Sequence, residues 1–246
     1  MDTSSPMEPS ALVEVVATEG DRLLAAAVTG LDRPVAACPG WDVARLVVHV
    51  GRVHDGITRI IEADSTERPT VGSADRPAGD VIAWGRARLD RLVEVLRATD
   101  PARPIWTWGD GGTVGWYARR MAHETLVHRW DVESAVAAPT PIDGDLAADG
   151  VDELLHVGMR YSSDPTQTYS YPSGSLHLHR TDGPGEWLVL ADDGGGLVVT
   201  REHAKGDVAV RGSGADLLLY LWGRSGDRLE VFGDEELAQA WARVAP

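Results

Sequence analysis

With 246 residues, 43% of them apolar, the chain is long enough for one large domain or two modest ones with real cores. Its 23 Lys and Arg stand against 38 Asp and Glu, a formal net charge of −15; such a surface repels a phosphate backbone and argues against nucleic-acid binding, so an anionic substrate would need local arginines. No apolar stretch approaches the roughly 20 residues of a membrane span, and the acidic N-terminus Met1–Glu8 lacks the basic and apolar regions of a secretory signal, which makes a cytoplasmic location the expectation.

Residues from about 9 to 29 place Leu12, Val16, Leu23, Leu24 and Ala27 on one helical face. Cys38, the single cysteine, follows in the tight Ala36–Gly40 loop. It can form no intramolecular disulfide or multi-thiolate metal site, and a small packed side chain is the simplest reading of it. Asp42 is a candidate N-cap for a second helix with the stripe Leu46, Val50, Val53, Ile57 and Ile60. Residues 65–79, rich in Pro, Gly, Ser, Asp and Thr, predict a loop. Asp80 then caps a third helix (Val81, Gly85, Leu89, Leu92, Leu96), and Thr113 a fourth. Four helices joined by loops of modest length predict a bundle.

Beyond Pro139, Pro141 and Gly144, one more helix spans about 145–160 with Leu146, Val151, Leu154 and Leu155. The character then changes. Ser175–His179, Glu186–Leu190 and Leu197–Thr200 alternate with period two around the turn Asp192–Gly196, a hairpin pattern. Asp207–Arg211 predicts a strand, Leu217–Trp222 an apolar helix, Leu229–Phe232 a strand, and Asp234 the cap of a last helix. The chain therefore divides into an all-α part, residues 1–142, and an α+β part, residues 143–246.

The fourth helix carries the chemistry. Its stripe Tyr117, Met121, Glu124, His128 and Ala135 puts two ionisable groups where a bundle helix normally buries aliphatic side chains. A buried carboxylate is costly unless a cation meets it, and a divalent metal would satisfy both Glu124 and His128. An i, i+4 Glu–His pair is, on spacing alone, more often an exposed or otherwise satisfied polar contact. Bundle metal sites draw ligands from facing helices, and His49, at the edge of the second helix's buried face, completes a two-His, one-carboxylate set suited to zinc or another first-row ion with an open position. His123 begins no HExxH protease motif, because the required second histidine is Val127. His54, five residues from His49, points elsewhere. Asp131 either orients the His128 ring or pairs with Arg129. His177 and His179 share a strand face, for which an outward polar surface is the simpler reading and metal ligation the other.

Pro39-Gly40-Trp41-Asp42-Val43-Ala44-Arg45-Leu46-Val47-Val48-His49-Val50 and the run Arg119–Asp131 resemble two signatures of the mycothiol-dependent maleylpyruvate isomerase family, which is similar to the DinB-like metal-binding bundles. Ala147–Leu155 and Arg211–Arg224 resemble its later landmarks, so the resemblance runs from about residue 10 to the end. It implies an N-terminal all-α DinB-like four-helix bundle and a C-terminal α+β sterol-carrier-protein-like domain. It further implies metal ligands His49, Glu124 and His128, with zinc the expected ion and nickel or iron alternatives. Mycothiol would be the low-molecular-weight thiol cosubstrate and Arg224 the catalytic arginine near a small-molecule electrophile. Arg224 alternatively serves as an ordinary helix C-terminal arginine. Three functions remain open: cis–trans isomerase, mycothiol S-transferase acting in detoxification, and a metal- or small-molecule-binding protein without turnover. Nothing in the sequence sets the oligomeric state.

Overall fold

Short polar side chains start three of the four N-terminal helices. The computed structural model describes residues 7–72, 77–109, 111–161, 169–224 and 228–244; residues 73–76 of the expected loop lie outside them. Helix α1 spans Pro9–Ala27, α2 Val43–Ala63, α3 Val81–Ala98 and α4 Val114–Val136. Asp42 accepts from the Arg45 amide, Asp80 from those of Ile82 and Ala83, and Thr113 from that of Trp116. Each cap satisfies donors that a helix leaves open, a contribution of about 1 kcal/mol. Helix α1 packs on α4 and α3, and α2 on α3 and α4, closing a four-helix ring. Its core holds Leu12, Val16 and Leu23 of α1, Leu46, Val47 and Ile61 of α2, Leu92 of α3, and Tyr117, Met121 and Leu126 of α4.

A single apolar stripe understates α4. Arg120, Thr125, Arg129, Asp131 and Glu133 are buried as well, because α4 contacts both α1 and α2. Ala135, expected on the stripe, is only half-buried. Arg129 is fully buried; its Nε donates to Glu19 of α1 at 2.6 Å, and its Nη1 donates to Glu133 at 2.9 Å and to the Thr140 carbonyl at 2.6 Å. A charge removed from water is tolerable only when paired and hydrogen-bonded in this way.

Between α1 and α2, the Trp41 amide donates to the Cys38 carbonyl at 2.9 Å. Pro39 and Gly40 occupy the two central positions, and Gly40 has φ of +79°. This is the type II pattern, which needs glycine at the third residue. The turn is tight, as the sequence predicts, and it delivers Trp41 to the start of α2.

Contacts divide the chain into Glu8–Thr140 and a second unit whose body is Pro141–Pro246. In the latter, α5 (Gly144–Glu153), capped by Asp143, continues as a π-helical turn over Leu154–Gly158. Strands β1 (Leu176–Arg180), β2 (Glu186–Ala191), β3 (Leu197–Thr200), β4 (Val208–Gly212) and β5 (Glu230–Gly233) form one sheet in the order β3-β2-β1-β4-β5. Only β1 and β4 run parallel. Helices α6 (Gly214–Leu221) and α7 (Glu235–Ala242) pack on the sheet, and α5 packs on α6. Registers Leu176↔Val189 and Leu178↔Trp187 place apolar residues on one face, and His177↔Leu188 and His179↔Glu186 lie on the other. The architecture is the expected one: a helical N-terminal region and a C-terminal mixed-sheet domain. No described helix is long and apolar enough to cross a membrane.

Candidate metal centre

Helices α2 and α4 bring His49, Glu124 and His128 together, each offering one ligand atom within 4.8 Å of the others. The Glu124 Oε1 atom lies 3.4 Å from His49 Nε2 and 3.2 Å from His128 Nε2. The two imidazole rings meet edge to face at 5.2 Å. Glu124 and His128 are almost enclosed, with side chains 12% and 8% exposed, whereas His49 is 35% exposed. The cluster is thus closed on the α4 side and open past His49.

Each of the three side chains is held from behind. Arg120, one turn before Glu124, donates from Nη2 to Oε2 at 2.5 Å. That contact occupies one carboxylate oxygen and leaves Oε1 facing the imidazoles. The buried carboxylate therefore does meet a cation within the chain itself, a partner that the sequence reading overlooked although Arg120 stands at i−4. Asp131 Oδ2 lies 3.0 Å from His128 Nδ1; of the two roles read from the sequence for Asp131, the ring-orienting one matches this geometry. With Nδ1 directed at Asp131, His128 presents Nε2 to Glu124 Oε1. Trp41 packs edge-on against His49 at 5.3 Å, and the Arg45 guanidinium lies over the Trp41 ring at 4.8 Å.

Electrostatics follow from this crowding. Burial opposes ionisation of Glu124, but hydrogen bonds from His128 and His49 and the charges of His128 and Arg120 hold its pKa well below the usual carboxylate value. Burial alone would lower the His128 pKa; hydrogen bonds to Asp131 and Glu124 outweigh it and raise the value to about 9. His54 is buried with Nε2 3.0 Å from Thr125 Oγ1, so it does point elsewhere. Burial pushes its pKa down to about 4, against the pull of Glu124.

A cleft of about 600 Å³ opens beside His49, lined by Trp41, Arg45, Val48, Arg52 and Val81 among others. The Arg52 Nε atom is buried without a hydrogen-bond partner among the described residues. Its position at i+3 from His49 was legible in the sequence, although its role was not.

Arg224 follows α6. Its amide bonds the Leu219 carbonyl at 2.8 Å, and its side chain donates to the Trp222 carbonyl at 2.5 Å and lies over the Trp222 ring at 5.4 Å. These contacts hold the guanidinium at the C-terminal end of α6.

Residues 13–133 match the mycothiol maleylpyruvate isomerase N-terminal domain, and residues 145–240 match the C-terminal domain of the same family. No curated protein matches the chain significantly. Among solved structures, a mutant of the mycothiol-dependent maleylpyruvate isomerase superposes with a TM-score of 0.62 at 15% identity, covering 94% of this chain and 95% of that one. Another structure of the mycothiol-dependent maleylpyruvate isomerase gives 0.60 at 14% identity with the same coverage. At such identities the superposition speaks for the fold, and the two domain models speak for the lineage: this chain belongs to the mycothiol-dependent maleylpyruvate isomerase family.

Proposed function

We propose that this chain is a mycothiol-dependent metalloenzyme acting on a small electrophile, and that its reaction is the cis–trans isomerisation of an alkene conjugated with carbonyl groups, as in maleylpyruvate. The observation that carries this reading is the convergence of His49 Nε2, Glu124 Oε1 and His128 Nε2 beside an open cleft. Two imidazoles and one carboxylate suit zinc or another first-row divalent ion, and leave room for an exogenous ligand. Bound there, such an ion would lower the pKa of a coordinated thiol so that thiolate is available at neutral pH.

The chain's residues supply position and charge. Arg120 and Asp131 fix the orientations of Glu124 and His128. Trp41 limits rotation of the His49 ring. Arg45 and Arg52 bring positive charge to a cleft in a strongly acidic protein, which favours a carboxylate-bearing substrate there. In the reaction, sulfur bonds to one alkene carbon while the π electrons move onto the conjugated carbonyl oxygen. Rotation about the resulting single bond follows, and collapse of the enolate expels the same sulfur to leave the trans alkene. No atom is gained and nothing is oxidised. We also assign Arg224 to holding a substrate carboxylate or the enolate, on the strength of the family resemblance. The cytoplasm, where thiols are kept reduced, is the compartment that suits this chemistry.

Incubation of the zinc-loaded protein with mycothiol and maleylpyruvate tests the reading. Fumarylpyruvate should form, and His49→Ala or His128→Ala should abolish its formation together with most of the bound metal. Accumulation of a stable thiol conjugate would replace isomerase by S-transferase. Retained ligand binding with no turnover across a panel of electrophiles would leave a binding protein.

A further inference from the structure

We propose that the β-sheet domain carries a second divalent-cation site, formed by His177 on β1, Glu186 on β2 and His203 from the connection between β3 and β4, with His179 steering the carboxylate. The antiparallel register sets His179 directly opposite Glu186 and His177 diagonal to it on the same face. His177 Nε2 lies 2.6 Å from Glu186 Oε2, and His179 Nδ1 lies 2.6 Å from Oε1. His203 Nδ1 reaches Oε1 at 3.1 Å. One ligand atom from each of His177, Glu186 and His203 falls within 4.8 Å of the others.

A solvated polar face is the simpler alternative, and two observations weigh against it. His177 is 6% exposed, so this is not a freely hydrated histidine. Three imidazoles from two separate stretches of chain also converge on one carboxylate, with ring centroids between 5.2 and 6.4 Å apart. Imidazole nitrogens and a carboxylate gathered in one small volume are a donor set that suits zinc and its neighbours in the first transition row. Glu186 contributes the negative charge, and His203, with a side chain 77% exposed, leaves the site reachable from solvent. The connection passes close to β1: a Cβ added at Gly206 would lie 2.9 Å from the His177 amide nitrogen. A cation held here would tie β1, β2 and that connection together, stabilising the folded form by mass action.

The site is independent of the one formed by His49, Glu124 and His128, and zinc titration can separate the two. The full chain is stripped with a chelator, dialysed, and titrated calorimetrically with Zn²⁺ alone at neutral pH. Wild type should take up two equivalents, His203→Ala one, His49→Ala one, and the double variant none. His203→Ala is the decisive change because its exposed side chain can be removed without opening the core; Glu186→Gln, which keeps the size but removes the charge, should lose the same equivalent. In the His49→Ala background, zinc should also raise Tm and slow amide exchange over residues 201–206. Undiminished stoichiometry in both His203→Ala and Glu186→Gln would overturn the proposal. One equivalent in wild type that disappears only in His203→Ala would support this site and sink the other; disappearance only in His49→Ala would do the reverse.

Discussion

Arg120 Nη2 holds one oxygen of Glu124 at 2.5 Å and leaves its other oxygen to His49 and His128. The guanidinium therefore has an orienting task as well as a neutralising one. Removing it should free the carboxylate to rotate and leave it less completely paired. Arg120→Gln should weaken zinc binding by about 10- to 100-fold, the usual cost of losing a residue that orients a metal ligand. Competition with a chromophoric chelator reads this out, and wild-type affinity in the variant would show that the contact does not govern the ligand.

Arg129 presents the structural counterpart. It is fully buried and joins Glu19 of α1 to Glu133 of α4. Arg129→Met removes the buried positive partner, leaving Glu19 with the half-exposed Arg22 and Glu133 with the amide and hydroxyl of Thr140, and a loss of about 3 kcal/mol is expected. Urea unfolding of the metal-free chain measures it. The triple replacement of Arg129, Glu19 and Glu133 by apolar residues should recover most of the loss, because the penalty belongs to the unpaired charges.

His54 predicts a pH dependence of folding. Its pKa, about 4 in the fold, is depressed by burial from an unfolded value near 6.5. Above 6.5 both states are neutral and the stability is fully present. As pH falls from 6.5 toward 4 the unfolded chain binds the proton first, so stability declines, by on the order of 3 kcal/mol across that window. His54→Gln should lack this component. Denaturation of both metal-free proteins at several pH values gives the difference, and parallel pH profiles would refute it.

Arg52 lines the cleft beside His49, and its Nε is buried with no hydrogen-bond partner among the described residues. If it meets a substrate carboxylate, Arg52→Met should raise KM for maleylpyruvate by about 10-fold or more, as loss of a charge-assisted hydrogen bond implies. Zinc content should stay at the wild-type level. Steady-state kinetics paired with metal analysis checks both halves. An unchanged KM would remove Arg52 from substrate binding.

Much of the architecture was legible because local chemistry specifies it. Asp42, Asp80, Thr113 and Asp234 announce helix starts through side-chain oxygens that capture nearby amides, and all four do cap. Strand alternation at Leu176–His179 likewise marked a face of buried leucines. The wide burial of α4 was not legible, because a charged residue such as Arg129 enters a core only when distant partners are there to receive it. Glu133 was visible one turn away; Glu19, on another helix, was not.

The same division runs through the candidate site. Sequence alone determined that Glu124 and His128 share a helical face and that His49 sits at the edge of another, since helical periodicity fixes those relations within each element. Only tertiary structure decided that His49 Nε2 comes within 3.4 Å of Glu124 Oε1, that Arg120 takes the other oxygen, and that an arginine-lined cleft opens alongside. In the sheet domain, His177 and His179 could be read as neighbours, whereas their convergence with Glu186 and His203 required a strand register and a loop path. Spacing along one element is set by backbone geometry. Distances between elements are set by how whole faces pack, and no short window of sequence contains that information.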